Sequence, residues 1–215
     1  ATVLDGFYVP NLDRAPTEAT VVHIVADSAY LYFAIRCFDA SPERISMEQT
    51  RRGSALWSDD YVEIRLDIEH LHRWHGIYEF RVNPRGTQDE EIPDGSASKI
   101  EWRGDWIAQT RVDSIGWTAE VAIPLIIFNR PAGPHDIGLS FWRYQPRTRE
   151  QSQWPNMGKD PDRTRTGDWT GIVWPKRAFR PTIIPYVVGA GVLHGSTFEE
   201  MQLTDRDAYA GVDVK

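Results

Sequence analysis

The segment Trp57–Asp67 joins an aromatic residue to a strictly alternating stretch. One side of the alternation is aliphatic and consists of Val62, Ile64 and Leu66. The other side is polar and consists of Tyr61, Glu63, Arg65 and Asp67. A β-strand with this period of two buries its aliphatic face and presents the charged face outward. An exposed aromatic beside a dense charged row indicates a binding face, although a merely solvated sheet face would have the same pattern.

The elements that must position this face are β-strands. We predict seven strands, each rich in β-branched or aromatic residues and bounded by turn residues: Thr20–Ala26, Ala29–Phe38, Tyr61–Asp67, Gly76–Asn83, Ile107–Val112, Trp117–Ile123 and Ile137–Tyr144. Short strands with turns every 8–12 residues favour an all-β fold, an antiparallel β-sandwich over about residues 16–175. We expect only a helical turn or two, and a long polar loop over Gln145–Thr166.

Odd and even positions of a strand face opposite sides of the sheet, so the position of each residue predicts which side chains, including which tryptophans, are buried in the core. The expected inward residues are Leu31, Phe33, Ile35, Val62, Ile64, Leu66, Val121 and Ile123. Trp117 and Trp142 lie within strand patterns and are predicted to be core. The single cysteine, Cys37, occurs in an apolar strand and is predicted to be a small buried hydrophobe.

Composition limits the classes of partner. The chain has 215 residues, a net charge of −7 and no basic block, so nucleic acid and anionic membrane surfaces are poor partners. One cysteine cannot form an intrachain disulfide. The pattern changes after Trp174-Pro175, where a Gly-rich, acidic stretch is flanked by strand-like segments. We therefore expect a sandwich domain over 1–178, and over 179–215 a linker and the first strands of a following module.

The order of several motifs resembles family-9 carbohydrate-binding modules. The motifs are Asp59-Asp60-Tyr61-Val62-Glu63-Ile64, Phe80-Arg81-Val82-Asn83-Pro84-Arg85-Gly86, Gly116–Pro124 and Gly138…Phe141-Trp142-Arg143. More narrowly, the chain is similar to modules at the N-terminus of bacterial outer-membrane proteins whose remainder is a β-barrel. This resemblance implies a jelly-roll-like sandwich and a covalently linked barrel in the full-length protein. It also implies a location in the envelope of a Gram-negative-type bacterium, on the periplasmic side or in the outer membrane. The first strand, near Val3–Gly6, looks shortened or missing.

The resemblance and the residue chemistry together predict a sugar site. A pyranose stacks its C–H face on a flat aromatic ring, and its hydroxyls take charged hydrogen-bond partners. In family-9 modules two tryptophans sandwich a terminal sugar, and a glutamate six residues after the first hydrogen-bonds it; Trp57 and Glu63 have that spacing. The predicted ligand-binding residues are Trp57, Glu63, Arg81, Glu120, Arg143 and Trp154, clustered on one concave patch with Trp154 at its rim. Otherwise the two glutamates and two arginines would form cross-strand ion pairs on an exposed face.

Other functions are weighed on the same residues. A glycosidase would need two carboxylates flanking the bond, and Glu63 with Glu120 is the available pair. Arginines opposite both glutamates would keep them ionised and disfavour a general acid, so the prediction is a non-catalytic glycan-binding module. A structural periplasmic cap on a barrel, without a glycan ligand, is the main rival. A haem-binding relative of the same sandwich is a weaker alternative, because all three methionines fall in predicted loops or turns.

Metal ligation has two candidate sources. His70, His72 and His75 offer three imidazoles that zinc or copper would take, but they fall in a predicted solvated hairpin loop without a cysteine partner. We interpret this segment as a loop. Structural calcium, implied by the resemblance alone, is the only candidate cofactor. Its oxygen ligands would come from Asp59, Asp60, Asp89, Glu90, Glu91 and Asp94, which lack EF-hand spacing.

Overall fold

A computed structural model describes residues 1–73, 76–91, 105–128, 130–159, 165–176, 183–194 and 202–214. The chain forms two compact units, Ala1–Lys176 and Arg177–Lys215. Within the described ranges there is no α-helix, and the helical turns expected near Pro42 and Pro124 are short 3-10 turns, Pro42–Arg44 and Leu125–Ile127. In those ranges no helix is long and apolar enough to cross a membrane.

The first unit contains two antiparallel sheets, and its first sheet has five strands. In chain order these are β1 (Thr2–Leu4), β2 (Thr20–Ala26), β3 (Tyr30–Phe38), β7 (Ile107–Asp113) and β8 (Gly116–Pro124). Their spatial order is β1-β2-β3-β8-β7. The three-residue β1 is the shortened first strand that the sequence predicts.

The second sheet carries the Trp57–Asp67 segment near its centre. Its strands are β4 (Tyr61–Asp67), β5 (Ile77–Val82), β6 (Gln88–Glu91), β9 (Gly133–Gln145), β10 (Glu150–Trp154) and β11 (Gly167–Trp174). The spatial order is β10-β9-β4-β5-β6, and β11 pairs with the other end of β9. Strand β4 therefore lies between β9 and β5, which makes its outward side chains the middle of a broad sheet face.

The hydrophobic core contains residues of both sheets. All eight residues predicted to be inward are buried, as are Cys37 and Trp117, so these predictions are confirmed. Burial raises the pKa of the Cys37 thiol to about 11 and makes it a poor nucleophile at neutral pH. The predicted antiparallel all-β fold is confirmed as well.

The long loop expected over Gln145–Thr166 is wrong in its first part. The chain turns at Pro146–Arg149 and returns as β10, paired with β9 from Gln145 to Phe141. The segment Glu150–Trp154 carries no aliphatic alternation, because its residues are Glu, Gln, Ser, Gln and Trp. Backbone pairing with β9 forms this strand in the absence of the usual sequence pattern.

The second unit, described by itself, is a hairpin. Strand β12 (Ile183–His194) pairs antiparallel with β13 (Gln202–Val214). Several large apolar side chains on it are exposed: Tyr186, Val187, Val188, Tyr209 and Val212.

Candidate functional site

The candidate site is built on one row of residues across five strands of the second sheet. Directly opposed pairs run from β10 to β6: Gln153, Trp142, Glu63, Arg81 and Asp89. Residues opposed in neighbouring strands share a face of the sheet. The row therefore places one indole, one amide and three charged groups on the face opposite the aliphatic core residues of β4.

Trp57 lies beside this row, just before β4. Its indole is 63% exposed, packs edge-on against Tyr61 at 6.1 Å between ring centroids, and has the Arg81 guanidinium carbon 5.7 Å from its centroid. A second indole, that of Trp142, has the Arg65 guanidinium carbon 4.5 Å from its ring centroid. Each of the two arginines is thus held against an aromatic ring, a favourable cation–π arrangement.

The charged groups of the face form one network. Glu63 Oε1 accepts from Arg65 Nε at 2.7 Å and from Arg81 Nη2 at 3.4 Å. Arg81 also donates to Glu79, and its Nη1 donates to Asp89 Oδ2 at 3.1 Å. Glu63 is 1% exposed and Arg81 4% exposed. The alternative of exposed cross-strand pairs is therefore correct about the Glu63–Arg81 pairing and wrong about its exposure.

Two carboxyl groups of this network have their pKa values moved in opposite directions. Burial and the neighbouring Glu63 carboxylate raise the pKa of Glu79 to about 7. For Glu63, burial acts upward, but the charges of Arg65 and Arg81 outweigh it and lower the pKa. Near neutral pH the network therefore holds an ionised Glu63 next to a Glu79 whose pKa is raised toward neutrality.

Because the pKa of Glu79 is raised in the folded state, the folded protein binds a proton that the unfolded chain has released between about pH 4.5 and 7. The free energy of unfolding should therefore fall as pH rises through this window. Glu79→Gln should remove a decline on the order of 2 kcal/mol, measured by urea denaturation at several pH values. Asp60, whose pKa is raised to about 6 mainly by burial, should leave a smaller decline of the same sign.

The matched control is Glu91→Gln, which changes another Arg81 partner that is largely exposed. That variant should keep the slope of the parent protein. An unchanged slope in Glu79→Gln would show that Glu79 is ionised throughout the window.

Arg143 does not lie on the sheet face that carries Glu63 and Arg81. Its inclusion in the predicted ligand-binding cluster is therefore wrong. Its register partner in β4 is Val62, so it lies on the inward side, 1% exposed. Its guanidinium donates to the carbonyls of Ala19 at 3.0 Å and Phe38 at 2.7 Å, and to Thr20 Oγ1 at 3.2 Å. The physical reason is strand parity: Arg143 continues the inward series of β9, and backbone carbonyls of the first sheet satisfy its charge.

Glu120 is also separated from Glu63. It lies on β8 of the first sheet, opposite Ala34 and Gln109, and points outward from that sheet. There it borders a shallow groove of about 470 Å³ whose lining includes Tyr32 and Ile107. This groove is mostly apolar, and none of its described lining residues is a tryptophan, so we place the candidate site at Trp57 on chemical grounds. The proposed sharing of one patch by Glu63 and Glu120 is wrong.

Trp154 is not a second wall opposite Trp57. It opposes Phe141 of β9 and packs against it at 6.0 Å between ring centroids, on the inward face. The indole also lies so close to Gly167 that a Cβ there would come within 2.6 Å of it. Trp154 therefore extends the core, and the rim position predicted for it is wrong.

Trp142 and Gln153 are the residues of the face that sequence reasoning missed. Trp142 was predicted to be core, but the inward positions of β9 are Ile137, Leu139 and Phe141, which puts position 142 on the other side. That parity is readable in the sequence. No comparable sequence pattern indicated the orientation of Gln153, because strand β10 was not predicted.

The predicted calcium ligands are engaged by protein donors wherever they are described. Asp59 accepts the backbone N–H groups of Glu48 and Gln49, and Asp60 accepts that of Ser46. Asp89 and Glu91 pair with Arg81, and Glu90 with Arg52. Asp94 lies outside the described residues. The two buried aspartates thus anchor the segment that leads to Trp57, and we derive no calcium site from this set.

Comparisons with known proteins agree with this architecture. No protein-family model and no curated protein sequence matches the chain. Among solved structures, a family-9 carbohydrate-binding module from Caldicellulosiruptor kristjanssonii in complex with cellotriose is similar, with 16% identity and a TM-score of 0.52, covering 81% of this chain and 84% of that one. The module in complex with glucose gives 16% identity and a TM-score of 0.51, covering 82% and 87%. The chain therefore has the β-sandwich fold of the family-9 carbohydrate-binding modules.

Proposed function

We propose that the first unit binds a carbohydrate without catalysis, on the sheet face next to Trp57. The observation that carries this proposal is the exposed Trp57 indole held against Arg81, beside the buried Glu63. The similar modules were solved with cellotriose and with glucose, which supports a sugar as the ligand class.

The chemistry of the face suits a pyranose. An exposed indole offers a flat apolar surface for the C–H face of the ring. Arg65 and Glu79, whose side chains are each 15% exposed, and the more exposed Glu91 are charged groups of the network that solvent reaches. Charge-assisted hydrogen bonds to hydroxyls are about twice as strong as neutral ones. A sugar stacked on Trp57 would direct its hydroxyls toward this network.

Several buried polar atoms on the same row require ordered water. Within the described part of the chain, Trp142 Nε1, Arg81 Nε and both amide atoms of Gln153 are buried and have no hydrogen-bond partner. Buried polar groups without partners are rare in native proteins, because each costs about 1–3 kcal/mol. Ordered water molecules are the groups that would satisfy them.

A structural role without a glycan is the second candidate. It is favoured by the near-complete burial of Glu63 and Arg81, each of which already has oppositely charged protein partners. Under that hypothesis the network holds the sheet together, and Trp57 contributes nothing beyond local packing. Binding measurements separate the two functions.

The test is binding of glucose and cellotriose to the intact chain by calorimetry. Trp57→Ala should weaken binding about 30-fold, because truncating an aromatic anchor costs about 2 kcal/mol or more. Glu63→Gln should weaken binding by about 1.5–3 kcal/mol, because it removes the charge-assisted hydrogen bonds that hold Arg65 and Arg81 in place on the face. Circular dichroism should show both variants folded.

Tyr32→Ala is the matched control, since it removes an aromatic ring from the groove on the first sheet. It should bind like the parent. Loss of binding in Tyr32→Ala with retention in Trp57→Ala would move the site to that groove. Absence of sugar binding by the parent would favour the structural role.

A glycosidase is disfavoured by the positions of the carboxyl groups. Glu63 and Glu120 lie on different sheets, and Glu63 and Glu79 are direct neighbours whose carboxyl groups hydrogen-bond. Glycosidases hold their two carboxyl groups about 5–9.5 Å apart, with the sugar between them. We therefore propose binding alone.

The cellular location of sugar binding and the module that follows this one are proposed from the sequence resemblance. We propose that the hairpin β12–β13 belongs to a following barrel module, and that the glycan is bound at a bacterial cell envelope. The exposed apolar side chains of the hairpin, such as Val187 and Tyr209, support burial against further structure.

A further inference from the structure

A second cluster of chemically active side chains lies away from Trp57. His70 and His72 follow β4, and Asp168 lies in β11. His70 Nε2 is 2.8 Å from Asp168 Oδ1 and 3.2 Å from His72 Nε2, and His72 Nε2 is 3.5 Å from Asp168 Oδ1. Three atoms that can donate a lone pair therefore converge on one point.

The surrounding residues hold this arrangement in place. The His72 backbone N–H donates to Asp67 Oδ2 at 2.6 Å, and His72 Nδ1 is 2.8 Å from Thr166 Oγ1. His70 and His72 both have left-handed backbones, with φ of 54° and 52°. This conformation is uncommon for residues with a Cβ, although histidine is among those that adopt it more often. The loop is thus shaped so that both imidazoles turn toward β11.

We propose that His70, His72 and Asp168 bind a divalent transition-metal ion of the Zn²⁺ class. Zinc takes nitrogen and oxygen ligands at about 2.0–2.2 Å, so two ligands at a tetrahedral angle are separated by roughly 3.3–3.5 Å. The separations of 3.2 and 3.5 Å are close to this range, and the 2.8 Å hydrogen-bond distance between His70 and Asp168 would open by about 0.5 Å on metal binding. Thr166 on His72 Nδ1 is the outer hydrogen bond that metal-bound imidazoles usually make.

The two imidazoles and one carboxylate indicate which class of metal ion the site would bind. Imidazole suits zinc, copper and nickel, whereas calcium takes oxygen ligands only. The two histidine side chains are 30% and 25% exposed and that of Asp168 is 55% exposed, so a fourth position faces solvent. A bound ion would link the loop after β4 to β11. The histidine segment has no further metal ligand close to it in the sequence. The third ligand is the carboxylate of Asp168, about a hundred residues later in the chain.

The test is equilibrium dialysis of chelator-treated full chain against Zn²⁺ alone, followed by metal analysis. The expected result is one zinc per chain, with no retention of Ca²⁺ at the same concentration. His72→Ala and Asp168→Asn should each lose this zinc, while His23→Ala, an exposed histidine on β2, should retain it. Cobalt(II) should give the intense visible band of a tetrahedral site in the parent and the control only.

A milder variant keeps the test valid if a ligand substitution disturbs the loop. Thr166→Val removes only the outer hydrogen bond and should weaken zinc binding about 10–100-fold. Trp57→Ala should bind zinc like the parent, which separates this site from the sugar face. Equal zinc binding by the parent, His72→Ala and Asp168→Asn would overturn the proposal, as would absence of zinc binding by the parent.

Discussion

Replacing Ile64 with alanine should lower the free energy of unfolding by about 2–5 kcal/mol. Ile64 is 1% exposed and lies between Phe80 and Phe141, its register partners in β5 and β9, on the face that packs toward the first sheet. The loss would combine the transfer free energy of the deleted methyl and methylene groups with the cost of the cavity they leave. Urea denaturation followed by tryptophan fluorescence measures it.

The matched control is Ile107→Ala, an isoleucine that is also in a strand but is 56% exposed. That substitution should change stability by no more than about 0.5 kcal/mol. An effect below about 1 kcal/mol for Ile64→Ala would mean that the aliphatic face of β4 is not the inward face.

Much of the fold was readable from the sequence because alternation follows directly from strand geometry. The predicted bounds of the strands at Thr20–Ala26 and Tyr61–Asp67 agree with the structure residue for residue. Their β-branched and aliphatic residues bury one face, so the period of two marks the whole strand. Strand β6 was missed because its sequence, Gln-Asp-Glu-Glu, has no apolar residue; it pairs with β5 through its backbone, and Asp89 accepts a hydrogen bond from Arg81.

The candidate site was partly predictable for the same reason. Trp57, Glu63 and Arg81 were assigned to one face, and the structure brings them together. Glu120 could not be separated from them, because outward positions of two different sheets look alike until the pairing of strands is known. The burial of Glu63 and Arg81 was also beyond the sequence, since an outward face reads as exposed.

Arg143 represents a different kind of error. Its position two residues after Phe141 puts it on the inward side of β9, so parity predicted the interior, but a charged side chain was assumed to face outward. An arginine side chain can be buried inside a sandwich when backbone carbonyls accept hydrogen bonds from its guanidinium group. In this protein the acceptors come from the ends of strands of the other sheet, which no local sequence pattern reports.

Arg143→Met should therefore be a stability mutation and leave the proposed sugar site intact. Removing the guanidinium leaves the Phe38 carbonyl without this donor and removes a positive charge that lowers the pKa of Asp60, which is buried nearby. A buried acceptor left without its donor costs about 1–3 kcal/mol, and because more than one acceptor loses this donor, we expect a decrease of about 2–4 kcal/mol in the free energy of unfolding. Arg111→Met, at an exposed arginine of β7, should stay within about 0.5 kcal/mol of the parent.

Arg143→Met also tests whether Arg143 lies in the protein interior or in the sugar-binding site. Its sugar affinity is measured at a temperature below its unfolding midpoint, where the variant is folded. Arg143→Met should bind glucose and cellotriose like the parent, because Arg143 points away from the face that carries Trp57. Arg81→Met should lose affinity, since Arg81 contacts both Trp57 and Glu63 on that face. If Arg143→Met were as stable as the parent and lost sugar binding, Arg143 would return to the binding site and the inward assignment of β9 would be wrong.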